Sequence, residues 1–262
     1  MNKKAFMESF ITQGFRRGVI LVMAASMAIL LFSPISAEVK TKGQKISVKE
    51  AFGLYKLRQA VFVNTMSQLE CMDHRIPGSL CLACEEIEQK PKILPPGKTG
   101  NIIFYCESDS CYKSCLAADV AVKNGYANVF VLEGGLPAWK QAGHEVESVQ
   151  RVPRVAVKSI KVDTLRSWLA ERKAMAIIDI RTENNFKEGH IEGAVNLPLY
   201  RLHERYQELP YNRTLVLVDS RGFRSFLAQS YLKRKGFDVF RLFGGMEAWK
   251  AYELRRKKEK TR

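Results

Sequence analysis

Asn101-Ile-Ile-Phe-Tyr105 is an apolar run that ends on Cys106 and breaks at once into the polar stretch Glu107-Ser-Asp-Ser110. From Cys111 to Asn124 the pattern turns helical. Strand, loop and helix in that order is the unit of a parallel sheet, whose strands are buried on both faces and read as continuous apolar runs. The stretch also places a thiol at the carboxyl end of a buried strand, just before a helix N-terminus. Loop amides and the positive end of the helix dipole favour thiolate over thiol there. The thiolate is the nucleophile. Cys106 is therefore the candidate catalytic residue, with Glu107, Ser108, Asp109, Ser110 and Cys111 as the loop expected to hold its substrate.

Outward from this stretch the same alternation continues. Ile46 to Leu57 reads as a short strand and a helix, Ala60-Val-Phe-Val63 as a buried strand, and the proline-rich 91–100 as a loop. Val129-Phe-Val-Leu132 is a strand, Leu136 to Gln141 a short helix, and Gly143 to Arg154 a linker. Beyond the linker come a helix over 165–171, strands at 176–179 and 215–218, a helix over 226–235 and a strand at 239–242. Short strands alternating with helices imply α/β architecture with a parallel sheet covered on both faces. Ligands of such sheets bind beyond the carboxyl ends of the strands, the edge that Cys106 and Asp219 both occupy.

The chain says these things twice. Tyr105-Cys106, Gly125-Tyr126, Leu132-Glu-Gly-Gly135 and Ala138-Trp139-Lys140 recur as Val218-Asp219, Gly236-Phe237, Leu242-Phe-Gly-Gly245 and Ala248-Trp249-Lys250. His74-Arg-Ile-Pro-Gly-Ser79 is echoed by Gly189-His-Ile-Glu-Gly-Ala194. The offset is 115 residues at this upstream motif and 110 at the tryptophans. A period of that size is a duplicated domain, because solenoid repeats run only about 20–50 residues. The two units are expected at 44–148 and 155–254, followed by a basic tail at 255–262.

Residues 1–37 read as a signal peptide: Lys3, Lys4, Arg16 and Arg17 precede an apolar run from Gly18 to Phe32, and Ser33-Pro-Ile-Ser-Ala37 resembles a cleavage site. The expectation is an exported, periplasmic protein, the alternative being a membrane anchor made by an uncleaved 18–32 segment. Net charge is +15. Residues 38–150 carry 13 Lys+Arg against 13 Asp+Glu, whereas residues 151–262 carry 25 against 13. A basic second half suits a solvated surface, and it also suits contact with an anionic membrane surface or an acidic protein partner. No basic-aromatic pattern points to nucleic acid. All six cysteines (Cys71, Cys81, Cys84, Cys106, Cys111 and Cys115) fall in the first repeat, and in an oxidising compartment an even count first suggests disulfides. Cys81-x-x-Cys84 is expected to form a structural disulfide or a redox pair, and Cys106 with Cys111 a reversible or a static bridge. A zinc site from Cys81, Cys84, Cys111 and Cys115 fits poorly, one spacing being three residues rather than two, and no metal is expected.

The second copy carries Asp179-Ile-Arg181, Phe186, Gly189-His-Ile-Glu-Gly-Ala194, Asn196, Pro198 and Gly244-Gly245-x-x-x-Trp249, with the loop Asp219-Ser-Arg-Gly-Phe-Arg-Ser225. These residues resemble the rhodanese family of sulfurtransferases, and the resemblance extends over nearly all of 46–252. It implies two tandem rhodanese-like domains in which Cys106 carries sulfane sulfur as a persulfide, taken from an anionic donor such as thiosulfate or polysulfide and passed to a thiol or other thiophilic acceptor. No cofactor is implied. The second site is expected to be degenerate, with Asp219 at the nucleophile position and Arg224 kept in the loop. His190 is expected to brace its turn, as the family's histidine does. The first copy departs from the pattern at Asn64 and Met66, where Asp and Arg are expected. Its loop is two residues longer, but 107–114 contains no arginine to grip a phosphate, and Glu107 and Asp109 oppose one. Two other classes compete with the sulfurtransferase: a non-catalytic envelope scaffold held by disulfides, and a thiol-redox protein using Cys81 and Cys84.

Overall fold

The computed structural model describes residues 42–108, 111–152, 156, 158–222 and 224–260. The expected leader at 1–37, the loop residues Asp109 and Ser110, and the last two residues of the tail lie outside them. No helix among the described residues is long and apolar enough to cross a membrane.

In the first domain, β1 (Gln44–Ile46) leads into α1 (Val48–Lys56), and β2 (Ala60–Asn64) into α2 (Gln68–Asp73). Then come β3 (Leu80–Cys81), α3 (Cys84–Gln89), β4 (Asn101–Tyr105), α4 (Tyr112–Lys123), β5 (Asn128–Leu132) and α5 (Gly135–Gln141). The second domain repeats the order with β6 (Lys158–Ile160), α6 (Val162–Ala170), β7 (Met175–Asp179), α7 (Glu183–Lys187), β8 (Val195–Asn196) and α8 (Leu199–Arg205). It ends with β9 (Thr214–Val218), α9 (Arg224–Arg234), β10 (Val239–Leu242) and α10 (Gly245–Lys260). Helix α10 runs on through Arg255, so the stretch expected as a separate basic tail is helical as far as Lys260.

Each domain is a five-stranded parallel sheet, in the orders β1-β5-β4-β2-β3 and β6-β10-β9-β7-β8. The central strands β4 and β9 are the most apolar and the most buried, which puts their carboxyl ends, Cys106 and Asp219, at the middle of one sheet edge. Two layers of side chains sandwich each sheet. In the first domain one layer gathers Val63, Ile87, Phe104 and Ala118, and the other gathers Phe62, Ile103, Tyr105 and Trp139. Trp139 is fully buried and meets Phe52, Tyr55 and Phe62 edge-on at 5.5 to 5.7 Å. An aromatic side chain so enclosed contributes on the order of 3 kcal/mol. Trp249, its counterpart, is half-buried beneath the Arg166 guanidinium.

The linker is tied down. Arg75 and Glu147 pair as an antiparallel bridge, and the Val152 amide donates to Asp73 Oδ1 at 2.8 Å.

Candidate functional site

The loop after β4 is fixed from below by a glycine pair. Gly134 and Gly135 both take positive φ, at 68° and 56°. A Cβ on Gly135 would collide with the Cys106 carbonyl oxygen. The absence of a side chain lets the start of α5 approach closely enough for the Leu136 amide to donate to that oxygen at 2.8 Å. Gly245 and Met246 do the same for the Asp219 carbonyl, also at 2.8 Å. The repeated Gly-Gly thus serves the same purpose twice: it holds the residue at the nucleophile position.

Of the two states the sequence offered for Cys106, a free thiolate and a bridge to Cys111, the structure holds the bridge, with the two Cα atoms 6.3 Å apart. The physical reason is local. The Cys111 amide donates to the Ser108 carbonyl at 3.1 Å, and this turn folds the longer loop back until the two cysteines fall within bonding reach. On its other side the Cys106 sulfur lies 3.2 Å from Met66 Sδ, and Cys106 is 1% exposed. Met66 stands where the second domain has Arg181. Asn64 Oδ1 accepts from the Met66 amide at 2.9 Å, as Asp179 Oδ1 accepts from the Arg181 amide at 3.0 Å. The turn is the same, but the buried ion pair of Asp179 and Arg181 is replaced in the first domain by a neutral amide and a thioether against the sulfur.

Cys106 opens onto a cleft of about 570 Å³ that both domains line, with Glu70, Glu107 and Lys140 from the first and Arg224 and Phe226 from the second. Glu107 sits exposed at the rim, and its carboxyl is pushed above the ordinary carboxylate range by partial desolvation and then by the charge of Glu70. Ser108 contributes its carbonyl to the loop turn. Lys113, the cation of the loop, is buried and faces α3, where it pairs with Glu85 at 2.8 Å.

The proposed Cys81–Cys84 pair does not form. Cys81 is bonded to Cys71, with Cα atoms 5.7 Å apart, because Cys81 ends β3 where that strand lies against α2. Cys84 begins α3 and points into the core with Val63 and Phe104. Burial, then the charges of Glu85 and Glu88, push its thiol up to about 12, far from a reactive thiolate. Cys115 also keeps its thiol, raised by burial and by Asp119. The four cysteines weighed as zinc ligands are divided between two disulfides and the core, and no cluster fit for a metal occurs among the described residues.

In the second domain the loop amides already hold an anion. The Asp219 carboxylate, 4% exposed, accepts from the Ser225 amide at 2.9 Å and from the Gly222 amide. Counted back three residues from the matching Ser114 and Ser225, Gly222 is the residue that corresponds to Cys111. In each repeat, then, the residue ending the central strand is bound to the same loop position, covalently in one and by a hydrogen bond in the other. Arg224 lines a pocket together with Asp219, and it also lines the first domain's cleft and lies 3.7 Å from Glu70. Its further reach to Glu70 depends on how the two domains meet, which no local pattern in the sequence shows. His190 braces its turn, Nδ1 lying 3.0 Å from the Phe186 carbonyl with the ring stacked on Phe186.

The family model for the rhodanese-like domain matches this chain twice, over residues 48–142 and 161–252. Over 82 residues the chain is 42% identical to a thiosulfate sulfurtransferase GlpE of Shewanella oneidensis, a match covering 31% of this chain and 81% of that protein. Over 99 residues it is 33% identical to a sulfurtransferase of Allochromatium vinosum, covering 37% of this chain and 92% of that protein. Among solved structures, a thiosulfate sulfurtransferase from Pseudomonas aeruginosa is 22% identical with a TM-score of 0.39, the match covering 77% of this chain and 43% of that one.

Proposed function

The chain belongs to the rhodanese-like domain family in both of its halves, and on that premise we propose that it is a sulfurtransferase whose first domain carries sulfane sulfur on Cys106. Sulfur transfer is the activity that its named relatives share. The observation that carries the finer reading is the contrast between the two loops. Cys106 and Asp219 hold equivalent places at the ends of central strands, each pinned through its carbonyl, and only Cys106 offers a sulfur.

With the Cys106–Cys111 bond reduced, the Cys106 thiolate attacks the outer sulfur of thiosulfate. The donor's S–S bond breaks, sulfite departs with its electron pair, and Cys106 is left as a persulfide. An acceptor thiolate then attacks the outer sulfur, carries it away and returns Cys106 as a thiolate, which completes a ping-pong cycle. Lys140 and Arg224 supply positive charge at the cleft for an anionic donor. The second domain supplies a wall of that cleft, because its own loop amides are already occupied by Asp219.

Export remains part of the proposal. A leader at 1–37 and two disulfides in the first domain suit an oxidising, periplasmic setting, and the basic second domain suits an anionic membrane surface or an acidic protein partner.

The test is the intact mass of protein that has been reduced and then given thiosulfate. A gain of one sulfur atom on the Cys106 peptide is expected, together with loss of transfer to cyanide in Cys106→Ser. If the Cys106–Cys111 bond resists dithiol reductants, or the serine variant keeps full transfer, the non-catalytic scaffold becomes the better reading.

A further inference from the structure

A persulfide on Cys106 would have a second sulfur nucleophile inside the same loop. Cys111 is bonded to Cys106 through the two Sγ atoms, so the loop reaches that geometry without any rearrangement of the sheet. Only four residues separate the partners, and the turn that brings them together is closed by the Cys111 amide on the Ser108 carbonyl. The second domain has Gly222 at the corresponding position, so the thiol is present only where there is a sulfur to act on.

We propose that Cys111 is the internal acceptor-side thiol of the first domain, and that the protein releases the transferred sulfur as hydrosulfide. This rests on the persulfide reading of Cys106. The Cys111 thiolate attacks the inner sulfur of the Cys106 persulfide. The bond between inner and outer sulfur breaks, and the outer sulfur leaves as hydrosulfide with the electron pair and the proton lost by Cys111. The product is the Cys106–Cys111 disulfide that the structure holds. The sulfane sulfur has been reduced by two electrons and the two thiols oxidised by two.

The loop is reset by an external dithiol, and exposure decides where that reagent attacks. Cys106 is 1% exposed, closed in by Met66 at 3.2 Å, whereas Cys111 is half-exposed at the start of α4. The reductant's thiolate therefore attacks Cys111 Sγ and Cys106 leaves as the thiolate, ready for the next donor. The second thiol of the reductant then displaces Cys111, and the reductant departs as a disulfide. Over one cycle thiosulfate and a dithiol become sulfite, hydrogen sulfide and a disulfide. In the bonded state the donor cannot reach Cys106, so the same bond makes turnover depend on the supply of reductant.

The experiment is a single turnover in the absence of oxygen. Reduced full-length protein is freed of reductant, loaded with thiosulfate and desalted, and free hydrosulfide, intact mass and the Cys106–Cys111 peptide are followed in time. One hydrosulfide per loaded Cys106 is expected, with the mass falling by one sulfur and the disulfide peptide appearing at the same rate. Cys111→Ser should stay one sulfur heavier and release hydrosulfide at least about tenfold more slowly. A wild-type protein that keeps its extra sulfur and releases none overturns this inference and leaves the sulfurtransferase reading standing. Equal release from both proteins also overturns it. If neither the wild-type protein nor Cys111→Ser gains sulfur or releases hydrosulfide, both readings fall together.

Discussion

The Leu136 amide donates to the Cys106 carbonyl oxygen at 2.8 Å, across a contact that only Gly135 permits. The geometry of the Cys106 loop is therefore set from outside the loop, by the first turn of α5. Gly135→Ala would introduce a Cβ against the Cys106 carbonyl and force an alanine to φ 56°. It should cost about 2 kcal/mol or more of stability and lower sulfur transfer even where the protein still folds. Denaturant unfolding and a transfer assay on the same preparation check this.

Asp219→Ala leaves two buried loop amides, those of Gly222 and Ser225, without their acceptor. An unsatisfied buried donor costs about 1–3 kcal/mol, so the second domain should lose stability. Sulfur transfer by the folded protein should be unchanged, because Cys106 is untouched. A loss of turnover in the still-folded variant would show that the second loop takes part in the chemistry.

Cys84 gives a pH signature of stability. Its folded thiol is pushed up from an ordinary value of 9.0 to about 12 by burial and by Glu85 and Glu88. Between those values the unfolded chain loses the proton and the folded one keeps it, so this group favours unfolding progressively as pH rises above 9.0. The slope of stability against pH in that window should be shallower in Cys84→Ala by up to about 1.4 kcal/mol per pH unit. Below the window the two slopes should coincide.

In the proposed reaction Glu107, at the rim of the cleft, would oppose an anionic donor. Removing its charge in Glu107→Gln should speed persulfide formation from thiosulfate about threefold at neutral pH. Desolvation and Glu70 raise the Glu107 carboxyl, so it gains a proton earlier than an ordinary glutamate as pH falls. The advantage of the variant should accordingly shrink on acidification. An advantage that grows instead would contradict the placement of that charge.

Most of the sheet was legible in the sequence. β2, β4, β5, β7 and β9 fall within one residue of their apolar runs and β10 matches its run, because strands buried on both faces leave no room for polar residues. The six-residue helices α2 and α3 were not legible, since neither is long enough to show a helical period. A trace of α2 was available: Ser67 and Glu70 cap it reciprocally, with the Ser67 amide on the Glu70 carboxylate at 3.0 Å. Missing α2 concealed the partner of Cys81, because the Cys71–Cys81 bond depends on where that helix lies against β3. The position of Cys106 after β4 and its bridge to Cys111 were both legible, but spacing along a chain does not say whether that bridge is reversible or static. The reach of Arg224 to Glu70 depends on how two domains meet, which no local pattern encodes.

Leu69 of α2 and Val152 of the linker are packed among Leu199, Leu202 and Tyr231 of the second domain, while the neighbouring Cys71 is bonded to Cys81 in the first. One short helix is thus riveted to one half of the molecule and greased into the other. Cutting the gene between the halves should strip a lid of apolar side chains from the carboxyl-terminal fragment and leave it prone to precipitate. The carboxyl-terminal half thus depends for its apolar cover on a helix that belongs to its neighbour.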